Sequence, residues 1–152
     1  MKNLSLISSI IILMLLSACE PQRQDIFYGE EECAHCSMLI SEPQFAGQLL
    51  TETGRHFNFD AIECLVAFKE GGTVAEEDIH SMWVPGFDDE TWLPAREAYF
   101  LRSPNLPSPM SLNLSAFQHL SQVEEYQRSY TGNIYSWSEI QNLVRQEWFN
   151  KQ

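Results

Sequence analysis

Basic residues are scarce in this chain of 152 residues: 9 Lys and Arg face 21 Asp and Glu, and the formal net charge is −12. A protein that binds nucleic acid neutralises phosphates with clustered Lys and Arg, and the chain contains no such cluster. Nucleic-acid binding is therefore excluded as a function. The acidic surplus suits cations or a basic protein partner, and solubility alone would also explain it.

Long apolar runs are also lacking, with one exception near the N-terminus. Residues 4–16 are almost wholly apolar, and no charged residue lies between Lys2 and Glu20. The run is too short to span a bilayer comfortably and has the length of a signal-peptide core. It ends in the sequence LSAC at residues 16–19, which is the pattern recognised by lipoprotein-processing enzymes.

Cleavage before Cys19 would make residues 1–18 a signal peptide and leave Cys19 free to carry acyl chains such as palmitate. Because each buried methylene contributes about 0.8 kcal/mol, several acyl chains anchor a protein permanently. We therefore expect a lipoprotein that is held to a membrane and faces the periplasm. The alternative is an ordinary secretory signal, cleaved after Ala18, with an unmodified Cys19.

The mature chain has the size of one domain. Residues 19–32 are polar and patternless, and we interpret them as the lipidated N-terminus and a tether. Residues 33–152 form the predicted domain.

Strand and helix patterns occur twice in this domain. Residues 45–50 and 55–59 flank a Thr53-Gly54 turn and predict a β-hairpin. Asp60 with Glu63 resembles a capping box at the start of a helix that ends at Gly71-Gly72.

The second half repeats this order. Residues 81–84 and 98–102 are strand-like, and Ser115 with Gln118 predicts the start of a second helix. A further capping box at Ser136 and Glu139 predicts a C-terminal helix. Strands followed by a helix, twice, indicate an α+β fold of two small units side by side.

Cysteine is the residue of greatest interest. If Cys19 carries lipid, an odd number of thiols remains: Cys33, Cys36 and Cys64. The segment CAHCSM at residues 33–38 contains two thiols, an imidazole and a thioether, and soft sulfur donors select Cu(I) over hard ions. If the segment is extended, Cys36 and Met38 point to the same side.

Three further residues are candidate metal ligands. Met110 directly follows a proline-rich segment, residues 104–109, whose restricted backbone would present its thioether rigidly. His35 and Cys64 are second-tier candidates. Cys64 lies in the apolar run of residues 62–66, a setting that is typical of a buried, inert thiol.

The Cys-x-x-Cys pair leaves two other functions open. It is half of a structural zinc site, which Cys64 and a histidine could complete. It is also the motif of thiol–disulfide oxidoreductases, although there it opens a long helix and the residues after Cys36 do not predict one. Ser37 excludes attachment of a c-type haem, which needs histidine at that position.

The ordered set of motifs resembles the NosL family. Cys36-x-Met38 is followed by FAGQ at residues 45–48 and by FDAIECL at residues 59–65. Further matching positions follow in order: Trp92, Ala95, Ala98, Tyr99, the Ser-Pro-Met segment ending at Met110, Ala116 and Phe117.

The resemblance, which spans residues 33–117, implies a function and a fold. NosL proteins are lipoproteins that carry Cu(I) during maturation of nitrous oxide reductase, and their fold is a pair of ββαβ units. The resemblance implies metal ligands at Cys36, Met38 and Met110. Cys33 departs from the family pattern, because many members lack the first cysteine of the pair. We include it in the predicted site.

From these residues we predict a Cu(I) carrier and not an enzyme, because no nucleophile–base pair or carboxylate dyad is evident. Its partners would be a copper exporter or a copper-receiving client enzyme, in addition to the membrane. The alternative is a thiol–disulfide oxidoreductase that uses Cys33 and Cys36.

Overall fold

The computed structural model describes residues 20–150. The predicted signal peptide and Cys19 lie outside the described residues.

The first unit runs from Gly47 to Pro85 and has the order ββαβ. It contains β1 (Gly47–Thr51), β2 (His56–Phe59), α1 (Ile62–Glu70) and β3 (Ile79–Pro85), and β4 (Trp92–Pro94) follows. These four strands form one antiparallel sheet in the order β2-β1-β3-β4. The predicted hairpin is confirmed: β1 and β2 pair with Leu49 opposite Phe57. Gly54 makes the turn between them at φ +81.

The second unit runs from Tyr99 to Tyr135 and has the same order. It contains β5 (Tyr99–Arg102), β6 (Leu114–Phe117), α2 (Leu120–Tyr130) and β7 (Asn133–Tyr135). Its sheet has the order β6-β5-β7, so the first strand of each unit is flanked by the other two. The prediction of two ββαβ units is confirmed.

The C-terminal helix is also confirmed. It is α3 (Trp137–Val144), followed by a π-helical turn over Arg145–Phe149. Its predicted capping box is present, because Glu139 Oε2 accepts hydrogen bonds from the Ser136 amide and hydroxyl, each at 2.7 Å.

The predicted starts of the other two helices are wrong. Residues 114–117 form a fully buried strand that pairs with β5, so Ser115 caps no helix, and α2 begins three residues after Phe117. At α1 the N-cap is Ala61 rather than Asp60. Glu63 turns inward and accepts hydrogen bonds from the Ser108 hydroxyl and from the Leu112 amide, the latter at 3.1 Å. Tertiary contacts thus replace the predicted local caps.

One main core joins both units to α3. It includes Leu49 and Ile62 from the first unit, Phe100 from the second and Ile140 from α3. Ile26 also belongs to it, so part of the segment predicted as a tether packs against the folded domain.

Within residues 20–150, no helix combines the length and the apolar character that a bilayer span requires.

Candidate metal centre

The Cys-x-x-Cys pair lies on a tight turn. The Cys33 amide donates to the Met38 carbonyl at 2.8 Å, and the Ser37 amide donates to the Cys33 carbonyl at 2.9 Å. Ser37 lies in the left-handed region at φ +63. The segment is therefore not extended, so the condition under which alternation would place Cys36 and Met38 on one side of a strand is not met. As expected, no helix begins at Cys36.

The turn packs against the junction between β2 and α1. The Ala34 amide donates to the Asn58 carbonyl at 2.9 Å, which brings the turn beside the end of β2. Two residues further on is Asp60, and Cys64 follows in the first turn of α1. Because α1 starts at this junction, its first residues face the turn of residues 33–38, which we call the cysteine turn.

Four donor groups meet at this point. One donor atom from each of Cys33, Cys36, Asp60 and Cys64 lies within 4.8 Å of all the others. Cys36 is half-buried and the other three are buried. The Cys36 thiol donates to Asp60 Oδ1 at 3.4 Å. Asp60 Oδ2 is buried without a hydrogen-bond partner in the part of the chain that the structure describes.

The thiols differ in their acidity. The Cys64 thiol donates to the Cys33 sulfur and, with backbone amides of the turn and Asp60, lowers the pKa of Cys33 from 9.0 to about 6 against the effect of burial. Burial raises the pKa of Cys36 to about 11. The hydrogen bond to Cys33, followed by burial, raises the pKa of Cys64 well above its usual range. Cys33 is therefore the most acidic of the three thiols.

A buried carboxylate oxygen without a partner is costly in a folded protein. Beside three convergent sulfur atoms, such an oxygen could serve as a ligand for a metal ion. Three thiolates and one carboxylate fit the four-coordinate geometry of Zn(II). The three thiolates alone suit a soft ion such as Cu(I).

The remaining candidate ligands occupy different settings. Met38 is 48% exposed at the edge of the cysteine turn. Met110 is partly buried and packs against the main core. His35 is not part of the four-donor cluster; its ring stacks on Trp148 at 5.9 Å between centroids. Burial lowers the pKa of His35.

Sequence reasoning missed Asp60 as a site residue and ranked Cys64 too low for a member of the cluster. Aspartate before a helix has a more common explanation as a cap, and cysteine in an apolar run usually packs as core. The available signal was their spacing: Asp60 and Cys64 flank the start of one helix, four residues apart, so both side chains reach the same end of it.

Comparisons with known proteins agree with this architecture. The crystal structure of the copper chaperone NosL from Shewanella denitrificans matches the chain with a TM-score of 0.68 at 24% identity. The match covers 78% of this chain and 95% of that one, and at this identity it shows a common fold. No curated protein matches the chain.

The family comparison covers most of the domain. The NosL family model matches residues 26–144, from the buried Ile26 to the end of α3. This range includes the cysteine turn, both ββαβ units and the four-donor cluster. The chain belongs to the NosL family.

Proposed function

We propose that this protein is a membrane-anchored carrier of Cu(I) that delivers the ion to a periplasmic copper enzyme. The observation that carries the proposal is the meeting of three thiols, Cys33, Cys36 and Cys64, from two distant segments of the chain. Membership of the NosL family, and the likeness to a protein described as a copper chaperone, support copper as the cargo.

The donor chemistry favours Cu(I) over harder ions. Thiolate sulfur is soft and polarizable, and Cys33, Cys36 and Cys64 supply three such atoms. Since Cys33 is the most acidic of the three, it would bind first as the thiolate. Binding at Cys36 and Cys64 releases a proton from each, so affinity rises with pH.

Delivery would proceed by ligand exchange. Cys36 is half-buried and Met38 is exposed, so both lie where an incoming ligand from a client could reach the ion. A partner sulfur or imidazole would replace one protein ligand at a time, without release of free ion. Met38 and Met110 remain proposed ligands for this step, and no covalent chemistry is required of the protein.

The cellular placement follows from the N-terminus. We propose that residues 1–18 are removed and that lipid on Cys19 holds the carrier to a membrane facing the periplasm, where it meets a copper exporter and its client. By family resemblance the client is nitrous oxide reductase. Cys19→Ser should release the protein from membranes, and persistent extraction only by detergent would contradict this anchor.

A thiol–disulfide oxidoreductase is the second candidate, favoured by the low pKa of Cys33. An attacking cysteine must reach a substrate disulfide, however, and Cys33 is only 2% exposed. The more accessible Cys36 has the raised pKa. Accessibility and acidity are thus divided between the two residues, which suits metal binding better than disulfide exchange.

The proposal is tested by anaerobic titration of the reduced protein with Cu(I) and Zn(II) against competing chelators. Native mass spectrometry gives the stoichiometry. We expect one Cu(I) per chain, bound more tightly than Zn(II). Equal or tighter binding of Zn(II) would replace the carrier by a structural zinc protein, and disulfide exchange that depends on Cys33 would replace it by an oxidoreductase.

A further inference from the structure

The four-donor cluster depends on two segments that are far apart in the chain. Cys33 and Cys36 lie on the turn, whereas Asp60 and Cys64 lie at the junction of β2 and α1. The turn lies outside the named strands and helices, so it needs other contacts to keep its position. The side chains of Glu31, Gln48 and Asn58, together with the backbone of Gln24, make these contacts; we call this set the amide network.

Gln48 on β1 is the inner member and is fully buried. Its Nε2 donates to the Gln24 carbonyl at 2.9 Å and to Asn58 Oδ1 at 2.7 Å. Its Oε1 accepts the Gln24 amide at 2.9 Å. Both ends of the Gln48 side chain thus hold the N-terminal segment against the first sheet.

Asn58 on β2 is the central member. Its Nδ2 donates to Glu31 Oε2 at 2.5 Å, and its carbonyl accepts the Ala34 amide at 2.9 Å. The other oxygen of Glu31 accepts the Phe27 amide at 2.8 Å. The turn is therefore held on both sides of Cys33, two residues before it by Glu31 and one residue after it by Ala34.

The spacing of these contacts relates them to the metal centre. Asn58 is two residues from Asp60, and Glu31 is two residues from Cys33. Gln48 and Asn58 are buried, and the polar atoms of both side chains have partners. Such an arrangement fixes geometry, because breaking one bond leaves a buried polar group without a partner.

We propose that Gln48 and Asn58, acting through Glu31, are positioning residues of the metal centre. They hold the cysteine turn against Asp60 and Cys64, so that the four donors act as one site. The inference rests on the proposed function only for the identity of the ion.

The test uses the full mature chain with Cys19→Ser in every variant, so that three thiols report. Asn58→Asp keeps the acceptor for Gln48 and places a second carboxylate opposite Glu31. The double variant Glu31→Gln/Asn58→Asp reverses the donor and acceptor and should restore the bond. Asn105→Asp is the matched control, because Asn105 donates to the Tyr130 carbonyl in the second unit, away from the turn.

Two readouts are measured on each variant. In the metal-free state, N-ethylmaleimide labelling followed by mass spectrometry gives the reactivity of each cysteine. With Cu(I) and a competing chelator, titration gives the affinity. For Asn58→Asp we expect Cys33 to label at least about tenfold faster while Cys64 stays protected, and Cu(I) affinity to fall by about 10–100-fold. The double variant should recover most of the protection of Cys33 and most of the Cu(I) affinity. Asn105→Asp should match the parent in both readouts.

Unchanged Cys33 labelling and unchanged affinity in Asn58→Asp would overturn the proposal, as would loss of affinity without rescue. If Asn58→Asp fails to fold, with all three cysteines labelling equally, Glu31→Ala decides the question from the outer end of the network. If the parent itself does not bind Cu(I), the proposed function fails, and the labelling contrast in the metal-free protein still tests the positioning role.

Discussion

The two ββαβ units have the same strand order and differ at the junction where the second strand leads into the helix. In the second unit this junction is an ordinary helix start: Gln122, the third residue of α2, accepts the His119 amide at 3.0 Å and completes a capping box. In the first unit the third residue of α1 is Cys64, and the N-cap Ala61 makes no side-chain cap. The position that completes the cap of one helix supplies a thiol of the four-donor cluster in the other.

Burial explains why the first unit can omit a cap. Residues 62–68 of α1 are all buried, whereas Val123 is the buried residue of α2. Most helical stability in proteins comes from packing of an apolar face, so α1 needs little help at its end. The mostly exposed α2 depends more on its capping box. The two units thus share one scaffold. In the first unit, burial stabilises α1 without a capping side chain, so the third helix position can hold the Cys64 thiol.

The largest expected effect is on Cu(I) affinity and comes from removing the Cys64 thiol, which has no counterpart in the second unit. Cys64→Ser keeps the size of the side chain and removes one sulfur donor, so we expect Cu(I) affinity to fall by more than about 100-fold, beyond the loss typical of residues around a metal ligand. Chelator competition measures it. The matched control is Gln122→Ser at the same helix position of the second unit, which should leave Cu(I) affinity unchanged. Equal affinities for the two variants would remove Cys64 from the site.

The next effect concerns the free energy of unfolding and compares one glycine from each unit. A methyl group on Gly132 would lie 2.2 Å from the Arg102 carbonyl oxygen, and its φ is +114. Gly132→Ala should therefore destabilise the protein by about 2–4 kcal/mol, measured by urea denaturation. Gly54→Ala, in the turn of the first unit, has no atom within 4 Å of the added methyl and should cost about 1 kcal/mol. A larger loss at Gly54 would show that the clash at Gly132 is relieved by movement of β5.

A smaller effect concerns pH, because the thiols of the first unit act in opposite directions. The lowered pKa of Cys33 stabilises the folded metal-free protein above pH 9, and this contribution is lost as pH falls through about 6. The raised pKa of Cys36 has the reverse sign: its contribution is present below pH 9 and is lost as pH rises through about 11. The free energy of unfolding should rise from pH 6 to 9 and fall above it.

The measurement is urea denaturation of the reduced protein under argon across that range, with thiolate absorbance at 240 nm recorded in parallel. Cys33→Ser should lack both the rise in stability and the absorbance step near pH 6. A step near pH 6 that survives in Cys33→Ser would assign the acidic thiol to another residue.

The same comparison shows how far the fold could be predicted from sequence. The hairpin, the doubled unit and the cap at Ser136 follow local patterns of turns and apolar spacing, and the structure confirms them. The start of α2 could not be read locally, because residues 114–117 are a strand on account of their pairing with β5. Ser115 has the chemistry of a cap and is buried instead.

The candidate site was harder to predict for a related reason. Its sulfur-rich turn was visible in the sequence, but the cluster forms only when that turn meets Asp60 and Cys64 across the fold. The amide network that joins them links residues 24 and 31 to residues 48 and 58, so no local window contains it. The roles of Met38 and Met110 stay predictions from the family pattern.

The smallest expected effect tests the cap itself. Gln122→Ala removes the side chain that accepts the His119 amide, and loss of a helix cap of this kind costs about 0.5–1 kcal/mol. Since α2 buries little apolar surface, the loss should appear as faster hydrogen exchange at the first amides of α2, together with a small fall in the urea midpoint.

Ala61→Ser, which offers α1 the cap that it lacks, is the converse variant. If packing alone holds α1, Ala61→Ser should gain almost nothing, because Ala61 is fully buried and the added hydroxyl must be desolvated. A gain of stability in Ala61→Ser as large as the loss in Gln122→Ala would show that the two helix starts are equivalent, and that burial does not explain why only the second unit is capped.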